Sequence, residues 1–95
     1  IPINPESGNI EATTIEAQTE QVIRNLKSVL VAAGSDLTKV LKCTVYLVDL
    51  QEFTRFNSVY GSFFADLPPA RSTVQVAKLP RDSKIEIDVI AYRLG

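Results

Sequence analysis

Val40-Leu41-Lys42-Cys43-Thr44-Val45-Tyr46-Leu47-Val48 is rich in β-branched side chains and alternates. The pattern predicts a strand that turns Leu41, Cys43, Val45 and Leu47 to one buried side. Upstream of it, across Gly34 and the polar Ser35-Asp36, the period is helical. Ile15, Thr19, Val22, Leu26, Val29, Leu30 and Ala33 recur on one stripe, Thr13 and Glu16 have capping-box spacing, and Gly34 closes the segment. Downstream, Asp49 and Glu52 repeat the capping-box spacing. Phe53, Phe56, Tyr60 and either Phe63 or Phe64 then fall on one stripe, so a second helix follows the strand directly. Pro68-Pro69 stops it, because a residue before proline is pushed out of the helical region and proline has no backbone donor.

Two further alternating stretches complete the chain. Ser72, Val74 and Val76 oppose Arg71, Thr73, Gln75 and Ala77 as far as Leu79-Pro80. After the polar turn Arg81-Asp82-Ser83-Lys84, Ile85, Ile87, Val89 and Ala91 alternate with Glu86, Asp88, Ile90 and Tyr92. The opening residues, from Ile1 to Ile10, hold Pro2, Pro5, Asn4, Gly8 and Asn9, and read as a loop with one short strand. The order is thus helix, strand, helix, strand, strand. Right-handed strand–helix–strand connections leave both helices on one face of a mixed sheet, an α+β two-layer sandwich. The other face, with Thr44, Tyr46, Thr73, Gln75, Ile90 and Tyr92, has no cover in the chain, and its aromatic and β-branched members suit a subunit interface better than water. An oligomer is expected.

Composition narrows the function. Ninety-five residues make one domain, residues 1–95, and 45% hydrophobic with 22% charged residues is ordinary globular composition. A net charge of −1 offers no field for nucleic acid or anionic lipid. Histidine is absent, which removes Ser-His and Cys-His nucleophile pairs and most zinc sites. The single Cys43 allows no internal disulfide, so a reducing compartment is expected, cytoplasm or a mitochondrial matrix. No apolar run approaches the ~20 residues of a membrane span. The chain opens on Ile1 rather than Met, as expected of a processed or partial chain.

The segment from Pro69-Ala70-Arg71-Ser72-Thr73 to Lys78-Leu79-Pro80, followed by Ile85-Glu86-Ile87-Asp88-Val89-Ile90-Ala91, closely resembles the signature of the RidA/YjgF family of reactive-intermediate deaminases. Ile1-Pro2, Thr19-Glu20-Gln21-Val22, Asn25-Leu26, Ala33-Gly34, Lys42-Cys43-Thr44-Val45-Tyr46-Leu47 and Phe56-Asn57-Ser58-Val59-Tyr60 carry the likeness through the whole chain in order. The resemblance implies chorismate-mutase-like subunits assembled as homotrimers, with ligand clefts between neighbours. It implies hydrolysis of 2-aminoacrylate-type enamines and 2-imino acids to 2-keto acids and ammonia, with no metal or organic cofactor. Two departures stand out. Relatives usually carry two further strands before the Ile-Pro position, with a Tyr and a Ser-Gly that line the cleft, and Thr73 stands where several have Cys. A hydroxyl there still hydrogen-bonds a ligand.

Arg71, at the start of a strand after two prolines and on its polar face, presents a planar fork suited to a carboxylate. A surface or interface ion pair fits its position equally, and the resemblance favours substrate-carboxylate binding. Glu86 projects outward among Ile85, Ile87 and Val89, as a solvated carboxylate or as one that steers a water. The resemblance implies the latter, a water-orienting acid/base. Thr73, two residues beyond Arg71, and Asn57, beside the aromatic stripe, are secondary ligand-binding candidates, Asn57 being as readily a helix-surface amide. Cys43, on the apolar face, reads as core. A tight turn at about residues 80–84 is expected to make the last two strands antiparallel, so that Arg71 and Glu86 begin them at opposite ends, ~20 Å apart. Acting together would then need Arg71 of one chain and Glu86 of its neighbour. The rival functions are an endoribonuclease or translation inhibitor, for which the charge is unfavourable, and a binding module that uses the cleft without turnover.

Overall fold

The computed structural model describes residues 1–94. Helix α1 spans Ile15–Ala32, strand β1 Val40–Leu47, helix α2 Phe53–Phe63, strand β2 Ala70–Gln75 and strand β3 Ile85–Ala91. The order and the α+β class are those expected. The sheet runs β2-β1-β3, with β1 parallel to β2 and antiparallel to β3. β2 and β3 are therefore not neighbours: β1 lies between them, and the Arg81–Lys84 segment is a crossover bend, not a hairpin turn. Arg81 and Asp82 both take positive φ there, 57° and 55°. The opening loop forms no strand, although Pro2 is fully buried and the Asn25 Nδ2 donates to the Ile3 carbonyl at 2.7 Å.

Local chemistry sets the ends of the helices. Thr14, not Thr13, caps α1, its hydroxyl accepting from the Ala17 N–H at 3.1 Å. The buried stripe of α1 is Ile15, Gln18, Thr19, Val22 and Ile23, continued by the partly buried Leu26 and Leu30, while Val29 lies off it and is 66% exposed. Gly34 closes the helix at φ +83°, a conformation that favours glycine. Asp49 caps a single 3-10 turn, Leu50–Glu52, through the Gln51 N–H, so that turn intervenes before α2 begins at Phe53. Phe56, Tyr60 and Phe64, not Phe63, form the buried stripe, with ring centroids 5.4 Å and 4.7 Å apart in succession. Arg55 reaches from α2 to clasp both carboxylate oxygens of Glu16 on α1, and the clasp holds the Glu16 carboxyl below its usual range.

A bulge corrects the alternation in β1. Val40 pairs with Ala91 and Lys42 with Ile90, so Leu41 falls out of register and is 56% exposed while Val40 is buried. From Cys43 onward the pattern is regular. Cys43, Val45 and Leu47 share the helix-facing side with their partners Arg71, Thr73 and Gln75 on β2 and Val89, Ile87 and Ile85 on β3. Lys42, Thr44 and Tyr46 share the outer side with Ala70, Ser72 and Val74, and with Ile90, Asp88 and Glu86. Arg71, Thr73 and Gln75, expected on the outer face, thus stand on the inner one. The pattern of β2 is nearly featureless, so its facing is dictated by register against β1 rather than by its own residues.

Candidate active site

The register that places Arg71 beside Cys43 aims its side chain at α2. Its guanidinium lies over the rings of Tyr60, Phe53 and Phe56, with centroid distances of 4.7, 5.3 and 5.7 Å. Such faces stabilise a cation by roughly 0.5–2 kcal/mol each at most, and leave its N–H edge free. One edge atom is used: Nη1 donates to Asn57 Oδ1 at 2.6 Å. Among the described residues no carboxylate is within ion-pairing distance of Arg71, whereas Arg24, Lys78 and Lys84 each have one and Arg55 has two. The site is a half-buried cation held in an aromatic cup without a counter-anion.

The cup opens on a cleft of about 460 Å³ walled by Asn57, Tyr60, Gly61, Phe64, Pro68 and Pro69, with Arg71 at its inner end. The Tyr60 hydroxyl and the Thr73 Oγ1 are buried without hydrogen-bond partners. Burial pushes the Tyr60 phenol far above its usual range, the adjacent Cys43 thiol adding to the effect and Arg71 opposing it. Burial likewise raises the Cys43 thiol, with Tyr60 and Arg71 offsetting part of it. A thiol so raised is protonated at neutral pH and a poor nucleophile, as expected of a core cysteine. A larger hollow of about 610 Å³ lies between the Ile10–Thr13 loop and the Arg81–Lys84 bend. Its cations are already engaged: Arg81 donates to the Gly8 carbonyl and the Asn9 side chain, and Lys84 lies 3.7 Å from Glu52.

Glu86 stands on the other side of the sheet, half-buried and opposite Tyr46. Tyr46 is pushed above the usual phenol range by burial first, then by the neighbouring Asp88 and Glu86 carboxylates. Cys43 and Tyr46, the β1 partners of Arg71 and Glu86, are three positions apart. That register gives a backbone separation of ~14 Å at standard strand rise and spacing, rather than the ~20 Å of a paired hairpin. The two side chains also point away from each other. Arg71 and Asn57 are brought together by their hydrogen bond, Thr73 shares the inner face of β2 with Arg71 without lining the cleft, and Glu86 lies on the opposite face. The aromatic stripe of α2 reads from sequence as core alone; that the same rings cup Arg71 follows only from the register of β2, although Asn57 within the stripe is the one polar break in it.

The site of this two-layer α+β fold is thus a guanidinium without an ion-pair partner among the described residues, in an aromatic-lined cleft. The family model described as Endoribonuclease L-PSP matches residues 1–93, and the chain belongs to this family, the RidA/YjgF family of its signature residues. A RutC family protein of Pyrococcus horikoshii is 47% identical over 98% of this chain and 74% of its own length. The 2-iminobutanoate/2-iminopropanoate deaminase of Escherichia coli is 43% identical over 98% of this chain and 74% of its own. The crystal structure of E. coli TdcF with bound serine superposes with a TM-score of 0.91 at 40% identity, covering 99% of this chain and 76% of that one.

Proposed function

We propose that the protein hydrolyses reactive enamines and 2-imino acids to 2-keto acids and ammonia, at sites assembled between subunits of a homotrimer. The observation that carries this is the Arg71 guanidinium, hydrogen-bonded to Asn57, cupped by three rings and without an anion among the described residues. A substrate carboxylate supplies that anion. The identity to a named deaminase and the likeness to a structure holding serine, itself a carboxylate, support the same reading.

In this reading Arg71 clamps the carboxylate while Glu86 of a neighbouring chain accepts a proton from water. An enamine first tautomerises to the imine, its terminal carbon gaining a proton and its nitrogen losing one. As the water oxygen bonds to the imine carbon, the C=N π pair moves to nitrogen and Glu86 passes the water's proton to it, giving the carbinolamine. Glu86 then takes the carbinolamine hydroxyl proton as the C=O forms and delivers it to the departing nitrogen, which leaves as ammonia. Thr73 is the secondary ligand candidate on the same face of β2, two residues beyond Arg71, with its hydroxyl buried and outside the lining of the cleft within one protomer. The imine is already electrophilic, so positioning and one acid/base suffice.

The test supplies 2-aminoacrylate from a serine dehydratase and follows ammonia and pyruvate. Acceleration by the parent and its loss in Arg71→Ala are expected; equal acceleration by both rejects the clamp. The family's endoribonuclease description favours a second reading, RNA cleavage. Cleavage of RNA that survives Arg71→Ala, with no imine hydrolysis by the parent, would establish that reading instead.

A further inference from the structure

We propose that the open space beside Gly61 is a subsite for the apolar side chain of an acid whose carboxylate is held by Arg71, and that Gly61 determines specificity for that side chain. The inference rests on the Arg71 reading above. Glycine weakens a helix interior relative to alanine, and Gly61 lies within α2. Its backbone does not require glycine, since the positive-φ glycines are Gly8 and Gly34. Packing does not require it either: a Cβ at Gly61 would meet no atom within 4 Å. What the missing side chain provides is volume in the wall of the cleft.

The placement gives that volume a meaning. Gly61 follows Asn57 by four residues, so it sits one helical turn, roughly 5–6 Å, from the residue that orients Arg71. That span is about the reach from a carboxylate to the end of a branched or aromatic side chain. Beyond Gly61 the wall is Phe64, Pro68 and Pro69, whose side chains carry no donor or acceptor. Gly61 and Pro68 are exposed, so a charged or amide side chain there keeps its water and gains no partner from this wall, whereas an apolar one gains by covering Phe64 and the two prolines. The cleft, about 460 Å³, is also within the usual ~300–1,000 Å³ range of small-molecule sites and larger than a three-carbon acid needs. The preferred ligands are therefore 2-imino and 2-oxo acids with branched or aromatic side chains.

The probes are pyruvate, 4-methyl-2-oxopentanoate and phenylpyruvate, titrated calorimetrically into the parent, Gly61→Ala and Gly61→Leu. Burial of the extra carbons should make the parent bind the two larger acids about tenfold more tightly than pyruvate. Gly61→Leu should erase that difference and leave pyruvate within about twofold, because leucine fills the subsite and not the carboxylate end. Gly61→Ala should melt higher than the parent and show an intermediate preference, which keeps the comparison available should the leucine variant fold poorly. Equal affinity of the parent for all three acids, binding of none, or a uniform loss in Gly61→Leu overturns the subsite. Turnover of imines made from alanine, leucine and phenylalanine by an amino-acid oxidase is measured in parallel. Size-dependent binding without turnover would refute the deaminase and keep the subsite; turnover indifferent to side chain would do the reverse.

Discussion

Arg71 and Glu86 flank the same central strand but face opposite sides of the sheet, Arg71 beside Cys43 toward the helices and Glu86 beside Tyr46 away from them. No rotamer of either side chain brings them to one small molecule within a protomer, because the sheet itself lies between. If both act on one substrate, they come from different chains.

Complementation checks this. Arg71→Ala and Glu86→Gln should each be inactive alone. Co-refolded in equal amounts, random three-fold assembly leaves about one interface in four with both native groups, so activity should return to roughly a quarter of the parent's. Mixed oligomers that stay inactive would refute a shared site.

Asn57 accepts a hydrogen bond from Arg71, and its variants test whether that bond positions the guanidinium for a ligand. Asn57→Ala removes the 2.6 Å acceptor and should raise KM about tenfold with kcat little changed, the scale of a hydrogen bond to a charged group. Asn57→Asp keeps an acceptor but supplies the counter-anion that the site lacks. It should compete with the substrate carboxylate and bind more weakly than Asn57→Ala. An aspartate variant with parental KM would show that the guanidinium is not the clamp.

The elements were legible from period and punctuation, because helices and strands bury stripes of different spacing. Cys43, Val45 and Leu47 declare their face, as do Ile85 and Ile87. What could not be read was set by pairing. Strand β2 offers Arg71, Ser72, Thr73 and Val74 with no apolar side to choose, so its facing waits on its partner strand. The same dependence hid the bulge at Leu41 and the crossover that separates β2 from β3. Arg71, Asn57 and Thr73 were each visible as candidates, but their common face and the aromatic cup depend on that register.

The N-terminal cap of α1 discriminates between adjacent threonines. Thr14→Ala removes the hydroxyl that accepts from Ala17 and should lower stability by about 1 kcal/mol, seen as a lower urea midpoint with unchanged slope. Thr13→Ala should leave the midpoint in place. The opposite ranking would restore the Thr13–Glu16 capping box suggested by spacing.

Alkaline pH tests the buried pair behind Arg71. Cys43 is raised above its ordinary 9.0 and Tyr60 above its ordinary 10.0, both chiefly by burial. Above those values the unfolded chain releases protons that the folded chain retains, so the unfolded state binds fewer and stability falls with rising pH. The stabilisation is complete below about pH 9 and should decline from there upward. Tyr46, raised in the same direction, contributes to the same decline. Tyr60→Phe should flatten the profile above pH 10 while changing neutral-pH stability little, because the hydroxyl has no partner within hydrogen-bond geometry and its polar neighbour, the Cys43 thiol, is only a weak one. Urea midpoints from pH 7 to 11 for the parent, Tyr60→Phe and Cys43→Ala measure it. A Tyr60→Phe profile parallel to the parent's would mean that the phenol ionises as readily in the folded protein as in the unfolded chain, and that water reaches the floor of the cup.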